Sequence, residues 1–346
     1  MSTLDWNSLG FNYRKTNTVL TTVYRDGKWS PVKSQNEDKI NLTVCSPSYH
    51  YGMSCFEGLK AFRGKDGKVR IFRADENAAR MKSSCDFLGL PCPTEEMFTE
   101  MCIQAVKENL DFLPPYGHNA SLYIRPIIIT TDPSVNLVPQ TDGIMFMVFT
   151  FPVGTYSGGQ VLQTIKTVVG RDFDRAAPHG SGRFKVCGNY AGAMFAEREA
   201  VRMGYGDVLF LDPATHTYID EFSSANFLGI KGNDYITPLS DSILPSITNK
   251  SLCQIAEDIG MNVVRKKFTL DEIEEFDEVG ECGTAAVITP VSVVDDKPTL
   301  RSNTITKSYA FGKNGECGPV CRKLYKHLTG IQFGLIQDIH DWCIVL

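Results

Sequence analysis

Pro152-Val153-Gly154-Thr155-Tyr156-Ser157-Gly158-Gly159 concentrates turn formers directly behind an apolar run, and the character of the chain changes across it. Such a stretch reads as a linker. Upstream, Asp26-Gly27 and Asp66-Gly67 lie between alternating apolar runs, where a hairpin turn demands positive φ. Asp75 follows the strand-like Val69-Arg70-Ile71-Phe72-Arg73 and reads as the N-cap of a helix through Ala79 and Met81 toward Gly89. A second helix is expected over residues 95–110. Residues 121–130 and 143–151 are too short for membrane spans and too β-branched and aromatic for helices, so they read as buried strands. Downstream, short strands at 208–211, 227–230, 263–266 and 285–289 alternate with helices at 190–203 and 247–259, which close at Gly204 and Gly260. The expectation is an α+β protein: a smaller α+β domain over 1–152, an interdomain loop over 153–163, and a larger domain of mixed sheets and helices over 164–346. A chain of 346 residues exceeds what one hydrophobic core normally organises.

Hydrophobic residues make up 42% and charged residues 22%, the balance of an ordinary globular enzyme. The formal net charge is -5, and short basic clusters such as Arg265-Lys266-Lys267 form no extended stripe, which argues against nucleic acid as a partner. No stretch is long enough to cross a bilayer. The first ten residues carry Asp5 and no apolar segment, unlike a signal or transit peptide. Eleven cysteines, an odd number scattered through apparent helices and strands, fit a reducing compartment, and the cytoplasm is the expected address. The six histidines form no ligand-spaced cluster, so no metal is expected. No Gly-x-Ser-x-Gly elbow supports a serine hydrolase.

Three places have the residue types that covalent amine chemistry needs. Lysine catalysis requires a neutral ε-amine near pH 7, hence a desolvated or cation-rich pocket. Lys185 ends the glycine-rich Gly180-Ser181-Gly182-Arg183-Phe184 and precedes a helix, where backbone approaches a ligand closely; by itself it equally fits a solvated loop lysine. Pro245 and Ser246 begin a helix whose free N–H groups suit a phosphate, or they simply cap it. Asp220-Glu221 precedes the small polar run Ser223-Ser224-Ala225-Asn226, and a carboxylate there faces either a ring nitrogen or solvent.

Taken in order, these segments resemble the fold-type IV pyridoxal-phosphate enzymes, specifically the branched-chain amino acid aminotransferases. The matching fragments are Tyr51-Gly52 with Phe56-Glu57-Gly58-Leu59-Lys60-Ala61-Phe62-Arg63, then Ile71-Phe72-Arg73, Leu122-Tyr123-Ile124-Arg125-Pro126, Lys185 through Tyr190, Glu221 through Asn226, Leu244 through Thr248, and Gly283-Thr284-Ala285-Ala286. Together they cover nearly the whole chain.

The resemblance implies transamination of L-leucine, L-isoleucine and L-valine with 2-oxoglutarate, giving branched-chain 2-oxo acids and L-glutamate. It implies pyridoxal 5'-phosphate carried by Lys185 as an internal Schiff base, a pyridoxamine phosphate intermediate, and Lys185 as the later proton shuttle. Glu221 would hold the pyridine nitrogen protonated and Tyr190 would bond the phenolic oxygen. Arg73, the hydroxyls of Ser224 and Thr284, and the backbone N–H groups of Ile247 and Thr248 would hold the phosphate. Phe11, Tyr51, Phe56, Tyr123 and Tyr156 match the aromatic wall around an apolar substrate, while the Tyr51 and Tyr123 hydroxyls and Arg125 would meet a glutamate side chain. The turn at Thr284-Ala285 would receive the α-carboxylate through its N–H groups. Tyr51 would come from a second subunit, so a homodimer is implied.

One departure bears on regulation. Vertebrate members carry a Cys-x-x-Cys pair after the Gly-Thr-Ala turn, whereas this chain reads Ala286-Val287-Ile288-Thr289, which excludes a thiol switch there. A lyase or D-amino acid aminotransferase on the same fold, and a non-catalytic cofactor sensor, are the competing readings. The Tyr123-x-Arg125 pair disfavours the first; the retained Lys185, Glu221 and Tyr190 disfavour the second.

Overall fold

The computed structural model describes residues 4–154 and 162–346. The chain divides into two compact units, and neither is continuous in sequence. Unit 1 comprises Met1–Gly159, Phe184–Gly188 and Gly330–Leu346; unit 2 comprises Gln160–Arg183 and Asn189–Thr329. No linker signal in the sequence marks either excursion.

Unit 1 opens with β1 (Val19–Arg25), β2 (Lys28–Trp29) and β3 (Lys33–Gln35), followed by the short helix α1 (Pro47–His50). Then come β4 (Ser54–Phe56), β5 (Leu59–Arg63), β6 (Val69–Phe72), α2 (Ala74–Leu88), α3 (Glu95–Glu108), β7 (Ser121–Thr130) and β8 (Ile144–Val153). The C-terminal strand Cys343–Val345 joins the edge at β6, and the sheet continues β5, β7, β8, β1, β2, with β3 on β1 and β4 on β7. All these pairings are antiparallel.

Strands β7 and β8 pair over ten residues, from Ser121 against Val153 to Thr130 against Ile144. Successive side chains face opposite ways, so Leu122, Ile124 and Ile128 join Ile144, Phe146 and Val148 in the core beneath α2 and α3. Tyr123, Arg125, Met147, Phe149 and Phe151 therefore face the other side. The strand expected over 121–130 is present with those bounds.

Local details depart from expectation in two places. Asp26 and Gly27 both have positive φ, at 51 and 78, and make the two-residue hairpin between Arg25 and Lys28. At the second hairpin only Gly67 has positive φ, at 80; the loop runs from Arg63 to Val69, long enough to spread the turn. The N-cap of α2 is Arg73, at φ 52, rather than Asp75. Asp75 sits with Glu76 in the first turn, where the helix dipole favours acids.

Unit 2 contains β9 (Ile165–Val169), α4 (Asn189–Arg202), β10 (Asp207–Leu211), β11 (Ile219–Phe222), β12 (Asn226–Lys231), β13 (Asp234–Pro238), α5 (Ile247–Asp258), β14 (Asn262–Lys266), β15 (Glu278–Gly283), β16 (Val287–Asp296) and β17 (Lys307–Ala310). Its sheet runs β11, β10, β9, β16, β15, β12, β13, β14, and β11 also pairs with β12. That last pairing closes a ring of six strands. Leu209, Phe222, Phe227, Val279 and Val291 belong to one buried cluster of its core. The strand expected at 285–289 begins instead at Val287, because Thr284, Ala285 and Ala286 form the turn after β15.

Candidate active site

In unit 1 the segment Phe184–Gly188 is laid against β4. Phe56 N donates to Lys185 O at 3.1 Å, Cys187 N donates to Ser54 O at 3.0 Å, and Lys185 N donates to Ser84 Oγ at 2.9 Å. These bonds fix the backbone of Lys185 on both sides. Its Nζ lies 4.8 Å from the centroid of the Phe56 ring. Burial pulls the amine down to about 8, helped by the Arg80 charge and opposed by Glu57. A substantial neutral fraction near physiological pH follows, which a nucleophilic amine requires.

Behind this lysine stands a buried ion pair. Arg80 donates to both oxygens of Glu57 at 2.8 Å, and Asn77 Nδ2 donates to Glu57 Oε2 at 2.7 Å. The Glu57 side chain is fully buried. The bidentate geometry keeps its charge compensated and places a fixed guanidinium near Lys185.

Arg125 belongs to the same face. Its guanidinium carbon lies 4.5 Å from the Phe56 ring centroid and 5.1 Å from that of Tyr123, and Nη2 donates to the Tyr123 hydroxyl at 3.2 Å. Arg125 Nε is buried with no partner among the described residues, so the group retains an unused donor. Phe11 packs edge-on against Tyr123 at 5.0 Å and against Phe151 at 5.9 Å. Beside Arg125 lies a cavity of about 560 Å³, lined by Phe11, Ile127, Met147, Phe149 and Phe151 among others. Gly58 makes room for this arrangement: a Cβ there would fall 1.9 Å from the Tyr123 hydroxyl.

Two expected residues lie elsewhere in unit 1. Tyr51 is 42% exposed and its hydroxyl donates to Val135 O at 3.0 Å. Arg73 is buried at the start of α2, with Nη2 2.8 Å from Glu76 Oε1 and its guanidinium carbon 4.9 Å from the Trp342 ring. An anion at Arg73 would therefore compete with Glu76. Tyr156 lies outside the described residues, as does most of the 153–163 loop.

In unit 2, Glu221 on β11 is buried among donors. Arg175 Nη2 lies 2.5 Å from Oε1, Leu244 N donates to Oε1 at 3.0 Å, and Asn226 Nδ2 donates to Oε2 at 2.6 Å. Burial pushes this carboxyl up while Arg175 draws it back. Asn226 Nδ2 also reaches Leu244 O at 3.1 Å, and Arg175 Nη2 donates to Ser242 O at 2.5 Å. The Glu221 network thus holds the segment that leads into α5.

At that helix Ser246 is the N-cap, its Oγ accepting from Asn249 N at 3.2 Å. Ile247 and Thr248 follow as buried residues of the first turn, whose N–H groups have no carbonyl four residues back within the helix. Ser224 is exposed at the β11–β12 tip. Thr284 and Ala285 are half-buried in the β15–β16 turn, and Val287 closes it at φ 67. A β-branched residue in that region stores strain, a trait that concentrates at functional turns. Tyr190 is the second residue of α4 and half-buried.

Unit 1 therefore gathers Lys185, Phe56, Tyr123, Arg125 and Phe11. Unit 2 gathers Glu221 with the start of α5. Within unit 1 an amine with a depressed pKa suits an aldehyde; within unit 2 a buried carboxylate held by a cation suits a protonated ring nitrogen, and the capped helix start suits a phosphate. Among the described residues no group of three or more His, Cys, Asp or Glu side chains is arranged to hold a metal ion. Sequence reading missed Arg175, since Asp174-Arg175-Ala176-Ala177-Pro178 shows no periodicity and only the fold carries it to Glu221.

Residues 54–294 match the family model described as amino-transferase class IV. A branched-chain-amino-acid aminotransferase of Haemophilus influenzae is 42% identical over 351 residues, covering 99% of each chain. Among solved structures, the Escherichia coli branched-chain amino acid aminotransferase superposes with a TM-score of 0.79 at 26% identity, covering 95% of this chain and 99% of its own. The T.th. branched-chain amino acid aminotransferase with pyridoxamine 5'-phosphate gives 0.79 at 26% identity, covering 96% and 99%.

Proposed function

The chain belongs to the class IV aminotransferase family, and on that premise we propose that it is a branched-chain-amino-acid aminotransferase dependent on pyridoxal 5'-phosphate. It exchanges the amino group between L-leucine, L-isoleucine or L-valine and 2-oxoglutarate. The observation that carries the assignment is the Lys185 amine, clamped against β4, lowered to about 8 by burial and facing Phe56 beside the Tyr123–Arg125 pair.

When bound, the cofactor supplies an electrophilic carbon for the amino group and a pyridinium ring that draws in electrons as Cα loses its proton. Lys185 would anchor it through the ε-amine and, as a free amine, would carry the proton away from substrate Cα. Glu221 accepts the hydrogen bond of the ring nitrogen, and Arg175 keeps the carboxylate charged against the cost of burial. Tyr190 donates to the phenolic oxygen. Arg73, Ser224, Thr284 and the N–H groups of Ile247 and Thr248 take the phosphate, which suits a helix dipole and hydroxyl donors.

Phe11, Phe56 and Tyr123 present apolar faces to a branched side chain. The Tyr123 hydroxyl and the unused Arg125 Nε serve the distal carboxylate of glutamate. The turn at Thr284-Ala285 receives the α-carboxylate. A homodimer places the exposed Tyr51 against a second copy's site. All eleven cysteines are free, in keeping with a reducing cytoplasm, and among the described residues no helix is long and apolar enough to cross a membrane.

The test is a substrate panel with 2-oxoglutarate as acceptor, run on the wild type and Lys185→Ala. Glutamate formed from L-leucine, and loss of both turnover and the bound cofactor's visible absorbance in the variant, are expected. Turnover of D-alanine without L-leucine would overturn the substrate assignment. Turnover lost with the absorbance intact would move the covalent anchor to another lysine.

A further inference from the structure

Unit 2 buries two carboxyl groups that the proposed chemistry does not use. Asp207 opens β10 and Glu281 lies in β15, each 7% exposed. Asp207 precedes Leu209 by two residues, and Glu281 follows Val279 by two; both apolar neighbours lie in the same buried cluster. The two-residue strand period therefore turns both acids toward the same interior as that cluster. The two carboxyls lie within hydrogen-bonding reach of each other.

Two buried carboxyls in contact cannot both be ionised, so the pair holds one proton. The surrounding donors decide where it sits. Asp207 Oδ1 receives the Val208 N–H at 2.6 Å, the Ser223 hydroxyl at 2.5 Å and the Ser223 N–H at 3.4 Å. Glu281 Oε2 is buried and meets no donor among the described residues. Asp207 is accordingly the carboxylate, and the Glu281 hydroxyl donates to it. Burial pushes both groups up, Glu281 well above the carboxylate range. The neighbouring groups are the Thr289 hydroxyl on β16, the Glu197 carboxyl on α4 and the Cys282 thiol on β15, none of which supplies a cation.

Asp207 holds one hairpin tip through Ser223, and Glu281 lies near the base of another. Ser223 adjoins Ser224 at the β11–β12 tip, and Glu281 lies two residues before Gly283, where the Thr284-Ala285-Ala286 turn begins. We propose that the Asp207–Glu281 pair is a positioning element for the cofactor phosphate, holding the Ser223-Ser224 tip only while it keeps its single proton. This rests on the reading of Ser224 and Thr284 as phosphate ligands. When hydroxide removes the Glu281 proton as water, the two carboxylates repel, and Ser223 loses its fixed acceptor.

The experiment follows the release of pyridoxamine 5'-phosphate, which forms no covalent bond with Lys185, from the loaded enzyme between about pH 6 and about pH 10. Wild-type release is expected to accelerate about tenfold or more as pH rises, while Glu281→Gln stays within about twofold across the range, because its amide still donates to Asp207 and cannot ionise. Ser223→Ala is expected to release faster at every pH. A Glu281→Gln profile parallel to wild type, or a flat wild-type profile, overturns the proposal. Ser224→Ala tests the phosphate reading separately: unchanged release in that variant refutes the ligand assignment. Unfolding of the cofactor-free wild type and Glu281→Gln across the same pH range then reads the pair alone. As pH rises above the ordinary carboxylate range, wild-type stability must fall relative to the variant's, and equal profiles overturn the shared proton.

Discussion

Arg175 Nη2 stands 2.5 Å from Glu221 Oε1, and each of the two side chains is at least nine-tenths buried. The pair opposes two effects, of which burial is the larger. Burial favours the neutral carboxylic acid, while the adjacent guanidinium favours the carboxylate. A neutral acid would be a poor acceptor for a ring nitrogen's proton, so the arginine is what keeps Glu221 useful.

Arg175→Met removes that compensation and leaves a buried acid without its cation. Unfolding in urea should show a loss of about 3–5 kcal/mol, the cost of breaking a buried pair from one side. The kcat of the folded fraction should fall by about tenfold or more. Arg175→Lys should recover part of both, and equal kcat in wild type and Arg175→Met would remove Arg175 from the site.

Gly58→Ala should disturb glutamate chemistry more than leucine chemistry. The new Cβ meets the Tyr123 hydroxyl at 1.9 Å and Cζ at 2.8 Å, so the ring must move and carry with it the 3.2 Å bond from Arg125. The KM for 2-oxoglutarate should rise about tenfold, the equivalent of one charge-assisted hydrogen bond. Adding Tyr123→Phe should restore leucine turnover better than 2-oxoglutarate binding. Equal effects on the two substrates would mean that Arg125 does not read the distal carboxylate.

Lys185 leaves a signature in the pH dependence of stability. Its amine titrates at about 8 in the folded chain, below its ordinary value, because burial penalises the charge. Between those values the unfolded chain binds the extra proton, so stability of the cofactor-free protein rises with pH from about 8 toward about 10. For a half-buried side chain the gain should be about 1–2 kcal/mol. Lys185→Met should lack that rise when unfolding is followed at each pH, and the difference between the two proteins cancels the opposing slope expected from Glu281.

Ser246→Ala tests the start of α5. Loss of the cap that accepts from Asn249 N should cost about 1 kcal/mol in thermal or urea unfolding. Affinity for pyridoxamine 5'-phosphate should drop as well, since the first turn frays where Ile247 and Thr248 present their N–H groups. A stability loss with unchanged affinity would confine Ser246 to capping.

The strands at β7 and β8, and the helices α3, α4 and α5, were legible because their apolar periodicity is local and strong. Lys185 was singled out through the ordered motifs around it, and its role belongs to the proposal. The start of α2 was less so: Asp75 is the better cap by residue type, yet Arg73 adopts φ 52 there, held by the buried contacts to Trp342 and Glu76. The Gly283-Thr284-Ala285-Ala286 motif was recognised, but not that Val287 would take a left-handed backbone to close it.

By itself, then, the amino-acid sequence determined the element types, the alternation that separates the helix-covered face of β7 and β8 from the Tyr123–Arg125 face, and the family motifs. All of these depend on neighbours a few residues apart. Tertiary structure alone decided that Phe184–Gly188 lies against β4, that Arg175 meets Glu221, and that Asp207 and Glu281 are buried toward one interior. Those pairs are separated by tens of residues, and no local pattern encodes them. What joins them is the closing of sheets that bury charge, and a buried charge must find its partner wherever in the chain that partner lies.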